Sequence, residues 1–192
     1  PVLCCSIRLP DGPVLHVLNL HLKAPIAAVI LGQKRSSFVW QTVSSWAEGY
    51  YLAAMKRAGQ ALEARLVVDR LFDDDRDALI AVCGDFNTDE NEMPTRILRG
   101  EEEDTGSEAL ANRALVVAER SVAPDQRYSV LHHGRPQMLD HMLVSRQLMA
   151  WYRGIEIHNE DLGDELVAYR SVRNPPDSYH APVVATFADP NA

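Results

Sequence analysis

Residues 45–72 are the longest periodic stretch in the sequence. Ala54, Ala58, Leu62 and Leu66 recur at four-residue spacing, Ala61, Val68 and Leu71 widen the stripe, and polar residues sit opposite. The spacing predicts one long helix, slightly weakened at Gly49 and Gly59. The acidic run Asp73 to Asp77 ends it; negative charge suits the end of a helix dipole poorly, so this run is expected in a solvated loop. The helix stands between two apolar runs of strand length, residues 14–22 and 78–83. Residues 2–9 form a third run, and Pro10, Asp11, Gly12 and Pro13 supply turn chemistry between the first two, so residues 2–22 are expected as a β-hairpin.

Elsewhere the pattern is weaker. Lys23 to about Ser44 loses its period and reads as a surface loop. Glu90 to Gly106 reads as helix fragments and loop, with the charges of Glu101 to Asp104 solvated. Leu110 to Val122 is helix or strand. Tyr128 to Leu131 and Met138 to Ser145 read as two strands joined across His132 to Gln137, Arg146 to Tyr152 as a helical turn, Glu160 to Glu165 as surface, and Ala181 to Phe187 as a last strand. Without repeats or a linker, residues 1–192 are read as one domain.

Composition narrows the function classes. With 46% hydrophobic and 24% charged residues in 192, the chain can bury a core without disulfides, so fibrous and mainly disordered readings fall away. Cys4 and Cys5 point to opposite faces of one strand and Cys83 is alone, which fits a reducing compartment. No run approaches the about 20 apolar residues of a membrane span, and no leader pattern opens the chain, so a cytoplasmic location is expected. A net charge of −8 with scattered Lys and Arg argues against sequence-indifferent DNA binding and leaves small phosphorylated substrates open. The sequence opens at Pro1 inside an apolar strand pattern, so a segment upstream is expected to be missing.

Polar groups cluster at strand ends: Asn19 and His21 in NLHL, Asp85 and Asn87 in CGDFN, Asp140 in MLDHMLVS, and His180 in SYHAPVV. Residues two apart share a strand face, which pairs Asn19 with His21 and Asp85 with Asn87. Taken singly, such a His or Asp is more often a satisfied structural group than a catalytic one. Together they match phosphate-ester hydrolysis. A carboxylate can orient or deprotonate water, an amide can donate to a phosphoryl oxygen, and a His with a carboxylate partner is a tuned acid or base.

The ordered set NLHL, GDFN, LDHMLVS and SYHAPVV resembles the endonuclease/exonuclease/phosphatase family of metal-dependent phosphoesterases, whose members include deoxyribonuclease I, abasic-site endonucleases, sphingomyelinases and inositol-polyphosphate phosphatases. The resemblance covers nearly the whole chain, and GDFN after a buried strand carries most of it. It implies a four-layer α/β/β/α sandwich of the deoxyribonuclease I type, in the α/β (α+β) class, with its N-terminal strands outside this chain. The hairpin 2–22 would then belong with those strands, and its exposed edge would favour self-association. The resemblance further implies that His21 contacts the scissile phosphate or leaving group, Asp85 aligns the water and holds Mg²⁺ or Mn²⁺, and Asn87 binds a phosphoryl oxygen. Asp140 would orient His180, which binds or protonates the phosphate, while Asn19 is read as structural.

Two departures stand out. Where the family carries Ser-Asp-His this chain has Ser178, Tyr179 and His180, so Tyr179 becomes a candidate substrate contact, and Asp177 is two residues early. The family's main metal ligand, a Glu, would precede Pro1, which leaves Asp85 as a weak metal site by itself. Arg135 with His132 and His133, and Lys23 with Lys34 and Arg35, are either phosphate-recognition loops or solvated loops. A zinc site at His132, His133 and His141 lacks the usual ligand spacing. Trp40, Trp46 and Trp151 are read as packing residues. The expected substrate is a phosphorylated small molecule, nucleotide or lipid headgroup. The alternatives are nucleic acid and a catalytically silent scaffold that keeps the fold.

Overall fold

The computed structural model describes residues 2–10, 12–166 and 178–190. In chain order the strands are β1 (Val2–Arg8), β2 (Val14–His21), β3 (Lys34–Ser36), β4 (Val39–Trp40), β5 (Leu79–Asp85), β6 (Val116–Val117), β7 (Val130–His132), β8 (Arg135–Gln137), β9 (Asp140–Val144), β10 (Tyr152–Ile157) and β11 (Val183–Phe187). The α-helices are α1 (Val43–Asp74), α2 (Met93–Arg99), α3 (Glu102–Thr105) and α4 (Arg146–Met149). A five-stranded sheet in the order β1-β2-β5-β9-β6 forms the centre. β2 and β5 run parallel and the other neighbours antiparallel. The parallel pair requires a crossover, which is α1.

One face of the sheet packs under the helix. Leu18, Leu20 and Leu22 alternate along and just beyond β2, and with Ile80, Val82, Phe86 and Leu143 they meet Ala61, Ala64, Val68 and Phe72 of α1. The opposite face carries Leu15, Leu79, Ala81, Met142 and Val144, and Trp151 and Phe187 bring the β10–β11 pair over one end of it. Among the described residues this gives three layers: helices, central sheet, and β10–β11. Gly84 makes the β2–β5 contact possible. Its φ is +124°, and a Cβ there would lie 2.1 Å from the Leu20 carbonyl oxygen.

The helix starts and stops as its ends dictate. Thr42 caps it, its hydroxyl accepting from the Ser45 N–H at 3.0 Å, and the chain leaves it at Asp75, whose carboxylate accepts from the Asp77 N–H at 2.9 Å. The expected apolar stripe is displaced, however. Leu62 and Leu66 are 50% and 49% exposed, and the buried row is Ser45, Gly49, Ala53, Arg57, Ala61, Ala64, Val68 and Phe72. Four-residue spacing runs along both rows. The smaller side chains face inward because they let the helix approach other backbone, which hydropathy alone does not register.

The hairpin β1–β2 continues through β2–β5 into the central sheet, with β1 at the edge and its Leu3 and Ile7 exposed. Two further expectations change. The segment from Tyr128 to Ser145 holds three strands rather than two: β7 and β8 form a hairpin through His133 and Gly134, both at positive φ (51° and 70°), and β9 is separate. The charges of Glu101 to Asp104 are paired rather than merely solvated, Arg96 and Arg99 holding Glu101, Arg96 holding Asp104 and Arg146 holding Glu102. Strand β10 was not expected; Arg153 and Gly154 obscure its alternation, and a register shift falls there.

Candidate active site

Strand register assembles the site. His21 of β2 lies opposite Asp85 of β5, and Asp85 lies opposite Asp140 of β9, so the three form one row across three strands, on the sheet face away from α1. Directly paired residues project to the same side, with Cβ atoms about 5 Å apart. The next row in is Asn19, Cys83 and Met142. The Asn19 side chain bonds the Cys83 thiol, which burial holds above its usual pKa. Asn19 therefore stands one row behind.

His180 enters from the segment leading into β11. Its Nδ1 is 2.7 Å from Asp140 Oδ2. Ser129 holds the two segments together: its hydroxyl accepts from the N–H groups of Leu139 and Asp140, both at 3.1 Å, while its carbonyl accepts from Ala181 N–H at 2.8 Å. Asn87 folds back on Asp85 at a φ of 51°. Its N–H donates to Asp85 Oδ1 at 2.8 Å, and its amide donates to Asp85 Oδ2 at 3.0 Å and to the Leu22 carbonyl at 3.1 Å. Phe86, 0% exposed, anchors this turn in the core. His21 is held more loosely, its Nε2 3.5 Å from Asp85 Oδ2 with the ring 71% exposed.

Charge distribution follows from this packing. Burial pushes the Asp85 carboxyl above its usual value; the Asn87 N–H pulls it down, Asp140 pushes it up, and His180 and His21 pull it down again. The hydrogen bond to the Asp140 carboxylate raises His180 above the usual imidazole value, against burial and with help from the charges of Asp140, Asp85 and Glu165. Asp85, Asp140 and His180 each offer a ligand atom within 4.8 Å of the others. Two neighbouring carboxylates, one of them destabilised by burial and by the other's charge, form a donor set that a hard divalent cation fits.

The structure thus brings together His21, Asp85, Asn87, Asp140 and His180. Tyr179 is 39% exposed, its ring 5.0 Å from that of His180. Arg135 lies exposed by the β7–β8 turn and outside this network, and Asp177 lies outside the described residues. His132 pairs with Glu165 at 2.9 Å. Lys23 donates to the carbonyls of Ala24 and Ile26, and Lys34 to that of Ser37, so both brace their own loop.

One group escaped the sequence reading. His141 follows Asp140 on β9 and so points to the opposite face, under the helix layer, where it is 2% exposed. Its Nδ1 is 2.6 Å from Glu119 Oε1 and its Nε2 2.9 Å from the Thr88 carbonyl, while Glu119 Oε2 accepts from Met142 N–H at 3.2 Å. Burial pulls the imidazole down, but Glu119 outweighs it and the net shift is upward. The pair ties the turn after GDFN to β9. A His on an apolar strand face signals a buried partner, but nothing in the sequence singles out Glu119.

A mixed sheet whose strand ends carry two carboxylates and an imidazole in one row, with an amide folded onto it, suits phosphate-ester chemistry. Comparison with known proteins agrees: residues 27–161 match the sequence profile of the Endonuclease/Exonuclease/phosphatase family, and the chain belongs to that family. Among solved structures, the 3′ phosphatase NExo from Neisseria bound to product DNA hairpin matches at 18% identity and a TM-score of 0.52, over 97% of this chain and 70% of that one. The 3′-5′ exonuclease NExo from Neisseria meningitidis gives the same values, 18%, 0.52, 97% and 70%. A beta toxin from Staphylococcus aureus matches at 15% and 0.46, over 96% of this chain and 56% of its own. At these identities the NExo likeness concerns the fold, which is of the deoxyribonuclease I type. No curated protein matches the chain.

Proposed function

We propose that the whole protein to which this chain belongs is a divalent-metal-dependent phosphoesterase that acts by attack of an activated water. The observation that carries the reading is the row His21, Asp85 and Asp140, closed by the 2.7 Å His180–Asp140 contact. Asp85 accepts a hydrogen bond from the water and aligns it, its orientation fixed by Asn87. The Asn87 amide donates to Asp85 and to the Leu22 carbonyl, so it would bind a phosphoryl oxygen by giving up one of these bonds. His180, whose pKa the hydrogen bond to Asp140 raises, donates a proton to a phosphoryl or leaving-group oxygen. His21, with its ring 71% exposed, contacts the ester from the β2 side. Asp85 and Asp140 are the residues to hold Mg²⁺ or Mn²⁺, which when bound would neutralise charge developing on the phosphoryl oxygens.

The substrate reading is a small phosphorylated molecule, nucleotide or lipid headgroup, supported by the net charge of −8. Nucleic acid remains the rival, because the NExo structure named above holds a DNA hairpin. No described helix is long and apolar enough to cross a membrane. Turnover of a chromogenic phosphodiester and a phosphomonoester by the whole protein, with Mg²⁺, Mn²⁺ or chelator, tests the activity; the 192-residue chain by itself is expected to be weak or inactive. Metal-dependent turnover lowered 10²–10³-fold by Asp85→Ala is expected, as for loss of one aligned charge-stabilising group. Turnover unchanged by chelator refutes the metal role; absence of turnover on every substrate class supports a silent scaffold instead.

A further inference from the structure

The two halves of α1 have different neighbours. Ala61, Ala64, Val68 and Phe72 pack on the sheet, whereas Gln60 accepts from Lys23 N–H at 2.7 Å and Arg57 donates to the Lys23 carbonyl at 3.0 Å. Lys23 lies two residues past the end of β2, so α1 passes the edge of the sheet at Arg57 and Gln60. The residues from Val43 to Lys56 therefore project about 20 Å beyond the edge that carries His21 and Asp85.

The loop after β2 folds onto this overhang. Ala28 N–H donates to the Gly49 carbonyl at 2.8 Å, and a Cβ on Gly49 would lie 2.5 Å from the Ala28 carbonyl and 2.8 Å from Trp40. Lys34 lies 5.0 Å over the Trp40 ring, and β3 and β4 pair beside it. The result is an ordered projection with an unusual surface. Leu31 is 97% exposed, Phe38 95%, Val43 79%, Val29 75% and Ile26 69%. Trp46, 44% exposed, stacks on Tyr50 at 5.5 Å. Residues 22–47 hold three cations, Lys23, Lys34 and Arg35, and no carboxylate, in a chain with 27 Asp and Glu.

We propose that this projection docks the protein on an anionic lipid bilayer. Leu31 and Phe38 stand almost fully out of two turns, and Ile26, Val29 and Val43 are mostly exposed beside them, apolar groups that suit insertion into a deformable acyl layer. Its Trp–Tyr pair has the amphipathic character of side chains that settle at headgroup level. Its local positive charge complements a negative membrane surface, while the acidic remainder of the chain is repelled from it. A protein partner would favour a contiguous complementary surface, and a nucleic acid a denser cationic track. The projection stands beside the edge of the candidate active site, so docking would present headgroup phosphates to that edge; only this last consequence rests on the phosphoesterase reading.

Co-sedimentation of the 192-residue chain with vesicles tests the proposal without any turnover. Vesicles of phosphatidylcholine alone and of phosphatidylcholine with 30% phosphatidylglycerol are compared, with chelator present. Binding to the anionic vesicles is expected, weakened by salt and accompanied by a blue shift of tryptophan emission. The double variant Leu31→Asp/Phe38→Asp, at two fully exposed positions, should keep the wild-type thermal melt and lower the partition coefficient at least tenfold. Arg35→Glu should lower binding to anionic vesicles roughly thirtyfold and leave neutral vesicles little changed. A chain that stays in the supernatant overturns the proposal, as does vesicle binding that both variants leave intact. It is equally overturned if the double variant instead disperses a dimer or releases an oligonucleotide while vesicles bind neither form. Loss of all phosphoesterase activity would leave the vesicle result standing.

Discussion

Replacing Glu119 by Ala should be among the most damaging single changes to this fold. Its carboxylate is 1% exposed and that of its partner His141 ring 0%, so solvent screens neither group. Both ring nitrogens are engaged, and the Thr88 carbonyl can only accept, so Nε2 carries a proton. Glu119→Ala strips the Nδ1 contact at 2.6 Å and also removes the acceptor for Met142 N–H. Breaking one side of a buried ionic pair costs about 3–5 kcal/mol, which in a chain of this size lowers Tm by about 10 °C. Urea unfolding followed by circular dichroism measures it. The double variant Glu119→Leu/His141→Leu should recover most of the loss, because a packed apolar pair has no charge to strand. A cost under about 1 kcal/mol for Glu119→Ala, or a double variant no better than the single, would refute the reasoning.

Gly84→Ala should cost about 3 kcal/mol or more, since it forces both a positive φ and a collision with the Leu20 carbonyl; Gly154→Ala, with open space around it, is the control, and equal melts for the two would dismiss the argument. In metal-free protein His180 should titrate above the ordinary imidazole value because of Asp140, as read from its ring proton by NMR. Its pairing then stabilises the fold fully below about pH 6.5, the unfolded value, and that contribution is lost as pH rises through the folded value. Asp140→Asn should bring the titration down, and an unchanged titration would remove Asp140 as the cause. Tyr179→Phe should slow turnover without changing Mn²⁺ affinity, whereas Tyr179→Asp should tighten it; identical turnover in wild type and Tyr179→Phe would reduce Tyr179 to a surface residue.

The legible part of the fold was the part written locally. A continuous apolar run ending in Gly-Asp-Phe-Asn can scarcely be anything but a buried strand delivering its last side chains to an edge, and β5 does this. The hairpin β1–β2 and the span of α1 were equally local. What the sequence concealed was the choice between equivalent patterns. Leu62 and Leu66 offer a better hydropathic stripe than Gly49 and Ala64, yet Gly49 is held by close approach to Ala28 and Trp40, and Ala64 packs on the sheet beside Ala61 and Val68. The His141–Glu119 pair spans 22 residues, and only the fold brings its members together.

Because His21, Asp85 and Asp140 sit on neighbouring strands in one register, the backbone acts as their ruler. Their separations are multiples of the strand spacing, about 4.8 Å, and no rotamer choice has to measure them out. A slip of one residue in any of the three strands would move its polar group to the helix side and replace it with a leucine, a glycine or a histidine, so a misregistered molecule cannot be partly correct. The spacing of the reactive groups is thereby insulated from the loops around them. Substrate preference can drift through residues 22–47 or the β7–β8 hairpin while the distance between the carboxylates stays where hydrogen bonding between strands put it.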